Sequence, residues 1–439
     1  KENCKYCKWA KSILKDYVEI FISPNTEEYK TLKNKLNIEG KITFPQIYFE
    51  EKIPQIFSKE SENVYFEEKY IGGMEELYKY TASTFDYTKL WNIAYHITKN
   101  LDLVIDKNYY PTEESKRSNM RHRPIGLGVQ GLADVLALMR ISYSSSEALE
   151  INKKIFSTIY HASLQASVDI SKQREPYMKI LNKYFEEKPI PDTEFYDPDW
   201  KTNNLIANTM YHKLKPYSTE FNILKPGSYS TFEGSPFSEG KLQFHLWNVE
   251  PEKVEGKCWD TLISDVKKYG TRNSLLTALM PTASTSQLLG NFESFEPFTS
   301  NMYTRRTIAG EFVVVNKHLI KDLIDIGVWS TQIKNQIMEC NGSIQTLDLP
   351  LIIKKIYLTS YEMGQKWIID GCIARGPYID QSQSMNLYFD KPDSRKLTST
   401  QFYAWENGLK TGVYYIRSKP SSNASKIIDT ESECVMCSA

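Results

Sequence analysis

Residues 122–134 read HRPIGLGVQGLAD, a glycine-rich run that leads into a helical pattern and on which the fold assignment rests. A GxGxxG spacing is found in turns that bind dinucleotides, but that fingerprint requires a preceding strand and an acidic residue about twenty positions later. Arg123 and Pro124 stand where the strand would have to be. The run therefore favours close packing at the start of a helix over a dinucleotide site.

A second block, MPTASTSQLLG at residues 280–290, places a proline and several hydroxyl side chains before a helical segment. Free N–H groups and hydroxyls at a helix start can bind an anion, although an ordinary N-cap has the same composition. Residues 291–306 then supply carboxylates, amides and the Arg305–Arg306 pair, which suit a nucleotide or its diphosphate. A solvated polar loop would look similar, so both interpretations stay open.

Residues 408–417, GLKTGVYYIR, predict a strand with two adjacent tyrosines, because tyrosine favours strands. Residues 87–97 have the spacing of an amphipathic helix. These two patterns by themselves indicate secondary structure and no particular chemistry.

Cysteine spacing gives a chemical signal at both ends of the chain. Cys4 and Cys7 form one Cys-x-x-Cys pair, and Cys434 and Cys437 form another. A thiolate that attacks a disulfide needs a nearby second cysteine to resolve the mixed disulfide, so this spacing is typical of redox exchange. Four thiolates could also bind structural zinc. The helical pattern and the lysines around the first pair favour a stabilised thiolate and therefore redox chemistry.

Composition limits the class of protein. The chain has 439 residues, of which 41% are hydrophobic and 25% are charged, enough for several globular domains. The 54 basic and 54 acidic side chains balance, so we expect no nucleic-acid partner. No apolar run approaches the roughly 20 residues that span a bilayer, so we expect no membrane partner. Sparse cysteines fit a reducing compartment, and we expect a cytoplasmic location.

Three motifs make residues 1–80 resemble glutaredoxin: the first dithiol, TFP at 43–45 and GGMEE at 72–76. The resemblance implies a thioredoxin-like domain in which Cys4 attacks, Cys7 resolves and glutathione donates electrons. The residues that it implies for the glutathione groove are Thr43, Phe44, Pro45, Gly73, Met74 and Glu75.

Two features depart from the glutaredoxin pattern. The family has a β-strand before its dithiol, whereas three residues precede Cys4 here, so we expect a domain truncated at its N-terminus. The sequence YFEEK occurs at 48–52 and again at 65–69. Removing the material between the copies restores the family spacing, so residues 53–69 read as an insertion, with chance repetition as the alternative.

The glycine-rich run, the PTASTSQ block, CNGSIQ at 340–345, DQSQS at 380–384 and the terminal Cys-x-x-Cys occur in an order that resembles the large subunit of class I ribonucleotide reductase. The resemblance covers about residues 84–439 and only the C-terminal part of that subunit. It implies the second half of a ten-stranded α/β barrel at 84–417, followed by a flexible redox tail at 418–439.

The same resemblance implies roles for individual residues. Tyr414 and Tyr415 would relay a radical from a separate small subunit that holds the radical cofactor, and no metal is expected in this chain. Cys434 and Cys437 would re-reduce the active site. The residues implied to hold the diphosphate of a ribonucleoside diphosphate are Pro281, Thr282, Ala283, Ser284 and Thr285.

Other residues of the family pattern are missing. The thiyl cysteine of the family lies in Asn-Leu-Cys-x-Glu, and no cysteine in this sequence has that context. We therefore expect Cys258, Cys340 and Cys372 to be structural thiols. We also expect the chain to be inactive alone and a companion chain to carry the missing N-terminal half. Residues 178–229 separate blocks that are adjacent in the family and read as an inserted loop.

The predicted function is a contribution to the reduction of ribonucleoside diphosphates, with the fused glutaredoxin as reductant. Two alternatives remain. One is a glutathione-dependent thiol-disulfide oxidoreductase with a non-catalytic reductase remnant. The other is a non-enzymatic module that binds a nucleotide or the small subunit.

Overall fold

The computed structural model describes residues 5–13, 47–52, 66–72, 74–187, 225–308 and 310–419. The strands within these ranges are β1 (Ile47–Lys52), β2 (Phe66–Gly72), β3 (Met302–Thr307), β4 (Gly310–Val315), β5 (Asn386–Phe389) and β6 (Tyr415–Ser418). The helices are α1 (Lys5–Ile13), α2 (Met74–Tyr80), α3 (Tyr87–Lys107), α4 (Glu113–His122), α5 (Leu132–Leu138), α6 (Ser146–Glu187), α7 (Gln243–Leu246), α8 (Trp259–Tyr269), α9 (Thr285–Leu289), α10 (Lys317–Asp325), α11 (Thr331–Glu339), α12 (Leu351–Ile356), α13 (Gln365–Arg375) and α14 (Ser394–Glu406).

Side-chain caps and amphipathic spacing explain the long helices. The Asp86 carboxylate accepts the Lys89 N–H at 2.8 Å and starts α3, whose predicted position is confirmed. The buried residues Ala94, Thr98, Asp102 and Ile105 then recur every three or four positions. This face of α3 packs on α6, which also contacts α8 and α13.

Parallel extended segments lie at the centre of the larger body, at residues 125–128, 275–279 and 381–384. The Ile125 N–H donates to the Leu275 carbonyl at 3.0 Å, and isolated bridges in parallel orientation link the first segment to the second and the second to the third. Helices connect and cover these segments, as in an α/β barrel. The predicted partial barrel is therefore present as an arc of parallel backbone.

The glycines of residues 122–134 allow the first two segments of this arc to pack closely against each other. A Cβ on Gly128 would lie 2.6 Å from the Ala278 carbonyl oxygen, and one on Gly126 would lie 3.2 Å from the Ala278 Cβ. The close packing predicted for this run is present, and its partner is the neighbouring extended segment rather than a helix. The helix that follows, α5, begins at Leu132.

Strand β5 continues from the third segment and pairs with β6 in parallel, with Asn386 opposite Tyr415. The predicted strand at 408–417 is shorter in the structure, because β6 begins only at Tyr415. The residues before it form a loop in which Gly408 has a φ of +80°. Glycine adopts this left-handed conformation at little cost.

The repeated YFEEK sequence forms most of an antiparallel pair of strands. Phe49 of β1 lies opposite Lys69 of β2, and Lys52 lies opposite Phe66. Residues 66–69, at the end of the predicted insertion, therefore extend β2. Residues 53–65 lie outside the described part of the chain.

The second predicted insertion is not a loop at its two described ends. Helix α6 continues through Pro176 to Glu187, so residues 178–187 are helical where a loop was predicted. At the other end, buried Tyr229 donates its N–H to the Thr271 carbonyl at 3.0 Å. Residues 188–224 lie outside the described residues.

Two hydrophobic cores organise the described residues. The larger core lies between α3, α6, α8, α13 and the parallel arc. The smaller core brings α1 and α2 together with α10, α11 and α12. Searched over the described ranges, no helix is both long enough and apolar enough to cross a membrane.

Candidate functional site

The predicted diphosphate loop follows the second segment of the arc and precedes α9. Thr282 has a φ of +57°, a left-handed conformation that is uncommon outside glycine. Its hydroxyl oxygen accepts the Ser294 N–H at 2.7 Å, and its carbonyl accepts the Ser286 N–H at 3.0 Å. These bonds hold a turn on which Ala283 and Ser284 are exposed.

The hydroxyls of this loop are not used as an ordinary helix cap. Ser284 occupies the N-cap position of α9, and its side chain makes no capping hydrogen bond. Thr285 is exposed and Pro281 is half-buried at the other end of the turn. The loop therefore presents hydroxyl groups at the surface, as an anion site requires.

The predicted relay tyrosines are adjacent and accessible. The ring centroids of Tyr414 and Tyr415 lie 4.3 Å apart at an interplanar angle of 65°. The two residues are 49% and 53% exposed, respectively. The neighbouring Tyr415 ring raises the pKa of the Tyr414 hydroxyl through a side-chain hydrogen bond.

The backbone register places the tyrosines at the same level of the arc as the residues just before the 281–285 loop. Ser384, at the end of the third segment, donates its N–H to the Leu279 carbonyl at 3.0 Å. The next residue, Met385, accepts the Tyr414 N–H at 2.6 Å. Leu279 lies two residues before the loop that begins at Pro281. The tyrosines therefore lie at the amino end of β6, level with the carboxyl end of the second segment.

Lys410 fixes the loop that precedes the tyrosines. Its Nζ donates to the carbonyl oxygens of Ile379 at 2.8 Å and Asp380 at 2.7 Å, and to the Gln243 side chain at 2.9 Å. Burial lowers the pKa of Lys410, whereas the Asp380 carboxylate raises it. The DQSQS sequence that contains Asp380 is thus part of the support of the tyrosine loop, a role that the sequence did not reveal.

A buried carboxyl group lies beneath the same strands. Glu296 is 3% exposed and accepts hydrogen bonds from the Tyr388 hydroxyl at 2.8 Å and the Asn386 amide at 3.2 Å. Burial raises the pKa of Glu296 to about 7. The sequence grouped this residue with polar candidates for a nucleotide, and its burial corrects that interpretation. The nearby aromatic residues Phe295 and Phe298, which are both buried, were the sequence signal that could have predicted the burial of Glu296.

The two arginines predicted near the anion site lie on β3 of an antiparallel hairpin. Arg306 forms an ion pair with Glu311 of β4 at 2.5 Å between the Nε and Oε1 atoms. Arg305 is partly exposed on the same strand. The register of the hairpin alone does not direct either guanidinium toward the diphosphate loop.

The predicted redox residues fall mostly outside the described part of the chain. Helix α1 begins at Lys5, directly after Cys4 as predicted, and contains the backbone of Cys7. Glu75 is half-buried in α2. The residues or side chains that are not described are Cys4, the side chain of Cys7, Thr43, Phe44, Pro45, Gly73, the side chain of Met74, Cys434 and Cys437.

The remaining cysteines differ from one another. Cys372 is buried, accepts a hydrogen bond from Arg375 Nη2 at 2.8 Å, and has a pKa that burial raises to about 11. It fits the predicted structural thiol. Cys340 is half-buried. Cys258 is exposed at the N-cap of α8, so its side chain does not contribute to the packing of a core. Within the described residues, no group of three or more His, Cys, Asp or Glu is arranged to hold a metal ion.

Comparison with protein families divides the chain in two. The model of the ribonucleotide reductase barrel domain matches residues 70–415, and the glutaredoxin model matches residues 1–54. Helix α2 thus lies inside the reductase match, in agreement with its packing in the smaller core. The barrel match covers more than half of the chain.

Two curated relatives agree with the family match, and one solved structure is also similar. A ribonucleoside-diphosphate reductase large subunit of Caenorhabditis elegans is 46% identical over 342 residues, which cover 77% of this chain and 36% of the relative. The large chain 2 of this reductase from Saccharomyces cerevisiae is 44% identical over 344 residues, covering 78% and 33%. The solved class Id ribonucleotide reductase alpha subunit of Actinobacillus ureae is 25% identical, with a TM-score of 0.49, and the match covers 75% of this chain and 46% of that one.

The chain spans about a third of the length of the curated relatives that it matches. The shared part contains the arc, the diphosphate loop and the tyrosine pair. This chain therefore belongs to the ribonucleotide reductase barrel family and carries a glutaredoxin domain at its N-terminal end.

Proposed function

We propose that this chain is the C-terminal part of a class I ribonucleotide reductase large subunit and contributes to the reduction of ribonucleoside diphosphates to deoxyribonucleotides. The observation that carries this proposal is the backbone register of the arc, which places the exposed hydroxyl loop at 281–285 and the Tyr414–Tyr415 pair at a common level, two segments apart. A site that must bind a diphosphate and receive a radical needs both features. The thiyl cysteine motif of the family does not occur in this sequence, so the proposed reaction also requires the part of the subunit that carries this motif.

The tyrosine pair receives the radical from a small subunit that holds the radical cofactor. The pair is accessible to such a partner, and the aromatic residues Phe402 and Trp405 are exposed on the neighbouring α14. Helix α14 packs against the loop before the tyrosines, because a Cβ on Gly412 would lie 2.3 Å from the Gln401 side chain. Exposed aromatic side chains are enriched at protein interfaces.

The fused glutaredoxin supplies reducing equivalents, and glutathione is its electron donor. Two glutathione molecules reduce the Cys4–Cys7 disulfide to a dithiol and leave as glutathione disulfide. The Cys4 thiolate then attacks the Cys434–Cys437 disulfide, which breaks that bond and forms a mixed disulfide. Cys7 displaces the tail sulfur, so the tail gains two electrons and two protons. Tethering on one chain raises the effective concentration of this reductant. The cytoplasm, whose thiols are kept reduced, suits this chemistry.

The Cys7→Ser variant tests the relay directly. Without the resolving thiol, Cys4 should remain joined to Cys434 or Cys437 under mildly oxidising conditions. Non-reducing peptide mass spectrometry of the full chain would identify the joined peptides. The matched control is Cys258→Ser, which removes an exposed cysteine and should leave the Cys4–Cys7 exchange intact.

The outcome of this test separates the alternatives. A chain that reduces a small disulfide with glutathione but never forms the mixed disulfide would be a free-standing oxidoreductase with a reductase remnant. A chain whose dithiol-null variant still captures a small subunit, and which reduces no disulfide, would be a binding module. Either result would overturn the proposed relay.

A further inference from the structure

Helix α1, which carries the backbone of Cys7, has one apolar face. Trp9 and Ala10 are 6% and 3% exposed, and Ile13, one turn later, is half-buried. Lys5, Lys8 and Ser12 occupy the opposite, exposed side. Residues three and four positions apart share a helix face, so Trp9, Ala10 and Ile13 form one apolar stripe.

The apolar face of α1 is buried against the reductase body as well as against α2. Trp9 and Ala10 belong to the same hydrophobic core as Leu319 and Leu323 of α10 and Ile353 of α12. Those three leucine and isoleucine side chains are fully buried. The dithiol helix is thus packed as an integral layer of the smaller core.

Helix α2 joins α1 to the body through a buried polar cluster. The Tyr78 and Tyr357 hydroxyls both donate to the Asp322 carboxylate. The Arg140 Nη1 donates to the same carboxylate at 2.6 Å and to the Tyr78 hydroxyl oxygen at 3.0 Å. Burial and the Asp322 charge raise the pKa of Tyr78, so the phenol stays a hydrogen-bond donor. Four hydrogen bonds thus make up this cluster, and within the described residues the buried Nε of Arg140 has no hydrogen-bond partner. Buried polar networks of this kind favour one geometry.

Two further contacts define the ends of α1. Lys5 Nζ lies 2.5 Å from Asp348 Oδ1, in the segment just before α12. At the other end, a Cβ on Gly327 would lie 2.9 Å from the Ser12 hydroxyl, and Gly327 has a φ of +72°. The glycine permits a tight turn after α10 and a close approach of the helix. These two contacts, one at each end of the helix, therefore fix the position of α1 on the body and the direction in which it runs.

We propose that the reductase body carries a docking site for the dithiol helix of its glutaredoxin domain, formed by α2, α10 and α12 and bounded by Gly327 and Asp348. The ligand class is an amphipathic redox helix with an apolar Trp-Ala stripe and a basic first turn. The fused glutaredoxin then reduces the tail from one fixed position, and not as a freely diffusing domain on a tether. The electron-transfer part of this inference rests on the proposed function, whereas the docking part does not.

Zero-length crosslinking tests the docking site without any reference to redox activity. A carbodiimide should join the Lys5 amine to the Asp348 carboxylate in the full chain, and tryptic mass spectrometry should find the linked peptides. Hydrogen exchange should show the amides of residues 5–13 protected. Absence of the crosslink together with unprotected amides would overturn the docking site and leave the glutathione chemistry of the proposed function standing.

Charge reversal tests what docking does for electron transfer. Asp348→Lys, which replaces the ion pair with Lys5 by a repulsion, should slow reduction of the tail disulfide by glutathione within the chain, whereas Asp348→Glu, which keeps the negative charge, should leave the rate unchanged. Glu150→Lys is the control, because it removes an exposed ion pair with Lys153 on α6. Glutathione-dependent reduction of a small disulfide should be equal in all four proteins, which shows that the glutaredoxin domain is folded. An unchanged tail-reduction rate in Asp348→Lys would overturn the fixed-position inference.

Trp9→Ala removes the central apolar contact and gives a second variant. It should raise hydrogen exchange in residues 5–13 and lower the yield of the Lys5–Asp348 crosslink several-fold. Small-disulfide reduction again reports whether the glutaredoxin domain is folded. Full retention of the crosslink in a folded Trp9→Ala protein would contradict the role assigned to the apolar stripe.

Discussion

Glu296 is a carboxyl group held in a largely apolar environment beneath the strand that begins at Tyr415. It accepts two hydrogen bonds from β5, and Asn386, one of the donors, lies opposite Tyr415. A carboxylate in such a place loses its hydration, so the neutral acid is favoured. The pKa of Glu296 rises from 4.5 to about 7 for this reason.

This shift predicts a pH dependence of folding stability. In the unfolded chain Glu296 loses its proton near pH 4.5, whereas in the folded chain it keeps the proton until about pH 7. Stability therefore falls as pH rises between these values, by about 3 kcal/mol for this group. Glu296→Gln cannot titrate, so its stability relative to the wild type should improve by that amount across the same window.

Urea denaturation of both proteins at a series of pH values measures this difference. The amide of the variant cannot accept both hydrogen bonds equally well, which adds a cost of about 1 kcal/mol that does not vary with pH. Infrared spectroscopy offers a direct check, because the band of a protonated carboxyl at pH 6 should disappear in the variant. Parallel stability curves for the two proteins would contradict the assignment.

Single residues show where prediction from sequence reaches its limit. Tyr414 and Tyr415 were predicted as a pair within a strand, where successive side chains point to opposite faces. Their rings are in contact in the structure, in which Tyr414 lies in the loop before β6. Glu296 was not distinguished from its polar neighbours, because a list of carboxylates does not say which one turns inward. The direction depends on the packing of Phe295 and Phe298 against residues far away in the sequence.

At the scale of elements, helix positions followed from local signals and packing partners did not. Residues 87–97 predicted α3 by their amphipathic spacing, whereas α2, at Met74–Tyr80, follows a glycine pair. Its partner is Asp322 of α10, more than two hundred positions away, and no local pattern encodes that contact. The same limit explains α6, where Pro176 lies within the helix and the predicted loop begins as helix.

Tyr78→Phe should loosen α2 from the reductase body. The substitution keeps the ring and removes the hydroxyl that donates to the buried Asp322 carboxylate, at a cost of about 1–2 kcal/mol. The amides of α2 should then exchange roughly tenfold faster if they open by local undocking. Hydrogen exchange followed by mass spectrometry measures this rate.

The matched control for this variant is Tyr95→Phe. It removes another tyrosine–aspartate hydrogen bond, to Asp169 at 2.8 Å, between α3 and α6. Exchange in α2 should be unaffected by the control, because both residues lie in the other layer of the body. Equal exchange in α2 for the two variants would mean that Tyr78 does not anchor the helix.

The exposed aromatic residues of α14 make a prediction about the small subunit. Phe402 and Trp405 have ring centroids 6.3 Å apart and both are exposed, so they offer a compact apolar contact beside the tyrosine loop. Trp405→Ala should weaken capture of a separately expressed small subunit about tenfold or more, as expected for an aromatic residue at the centre of an interface. Surface plasmon resonance measures the affinity.

A control on another exposed aromatic residue separates specific from general effects. Tyr109 is strongly exposed and lies just after α3, outside the tyrosine loop and α14. Tyr109→Ala should leave the affinity for the small subunit unchanged. If both alanine variants bind as the wild type does, α14 is not part of the interface.

At the scale of the whole molecule, the described residues expose apolar surface on α3 and on the β3–β4 hairpin. On α3, Ile93, Ile97 and Val104 are exposed, and their spacing places them within about one third of the helix circumference. The hairpin adds exposed Phe312 and Val313 of β4. Contiguous apolar surface of this kind is typical of interaction sites and is not stable against association.

We therefore expect the chain to associate with itself when alone and with a companion that carries the N-terminal half of the subunit when that is supplied. Ile93→Glu combined with Ile97→Glu places two carboxylates on the exposed face of α3, so association through this face should be strongly reduced. The fold itself should be retained, because neither side chain is buried in the larger core. Sedimentation velocity of both proteins over a range of concentrations, with and without the companion fragment, measures the effect. If the wild-type chain stays monomeric at every concentration and does not bind the companion fragment, the exposed face of α3 is not an interaction surface.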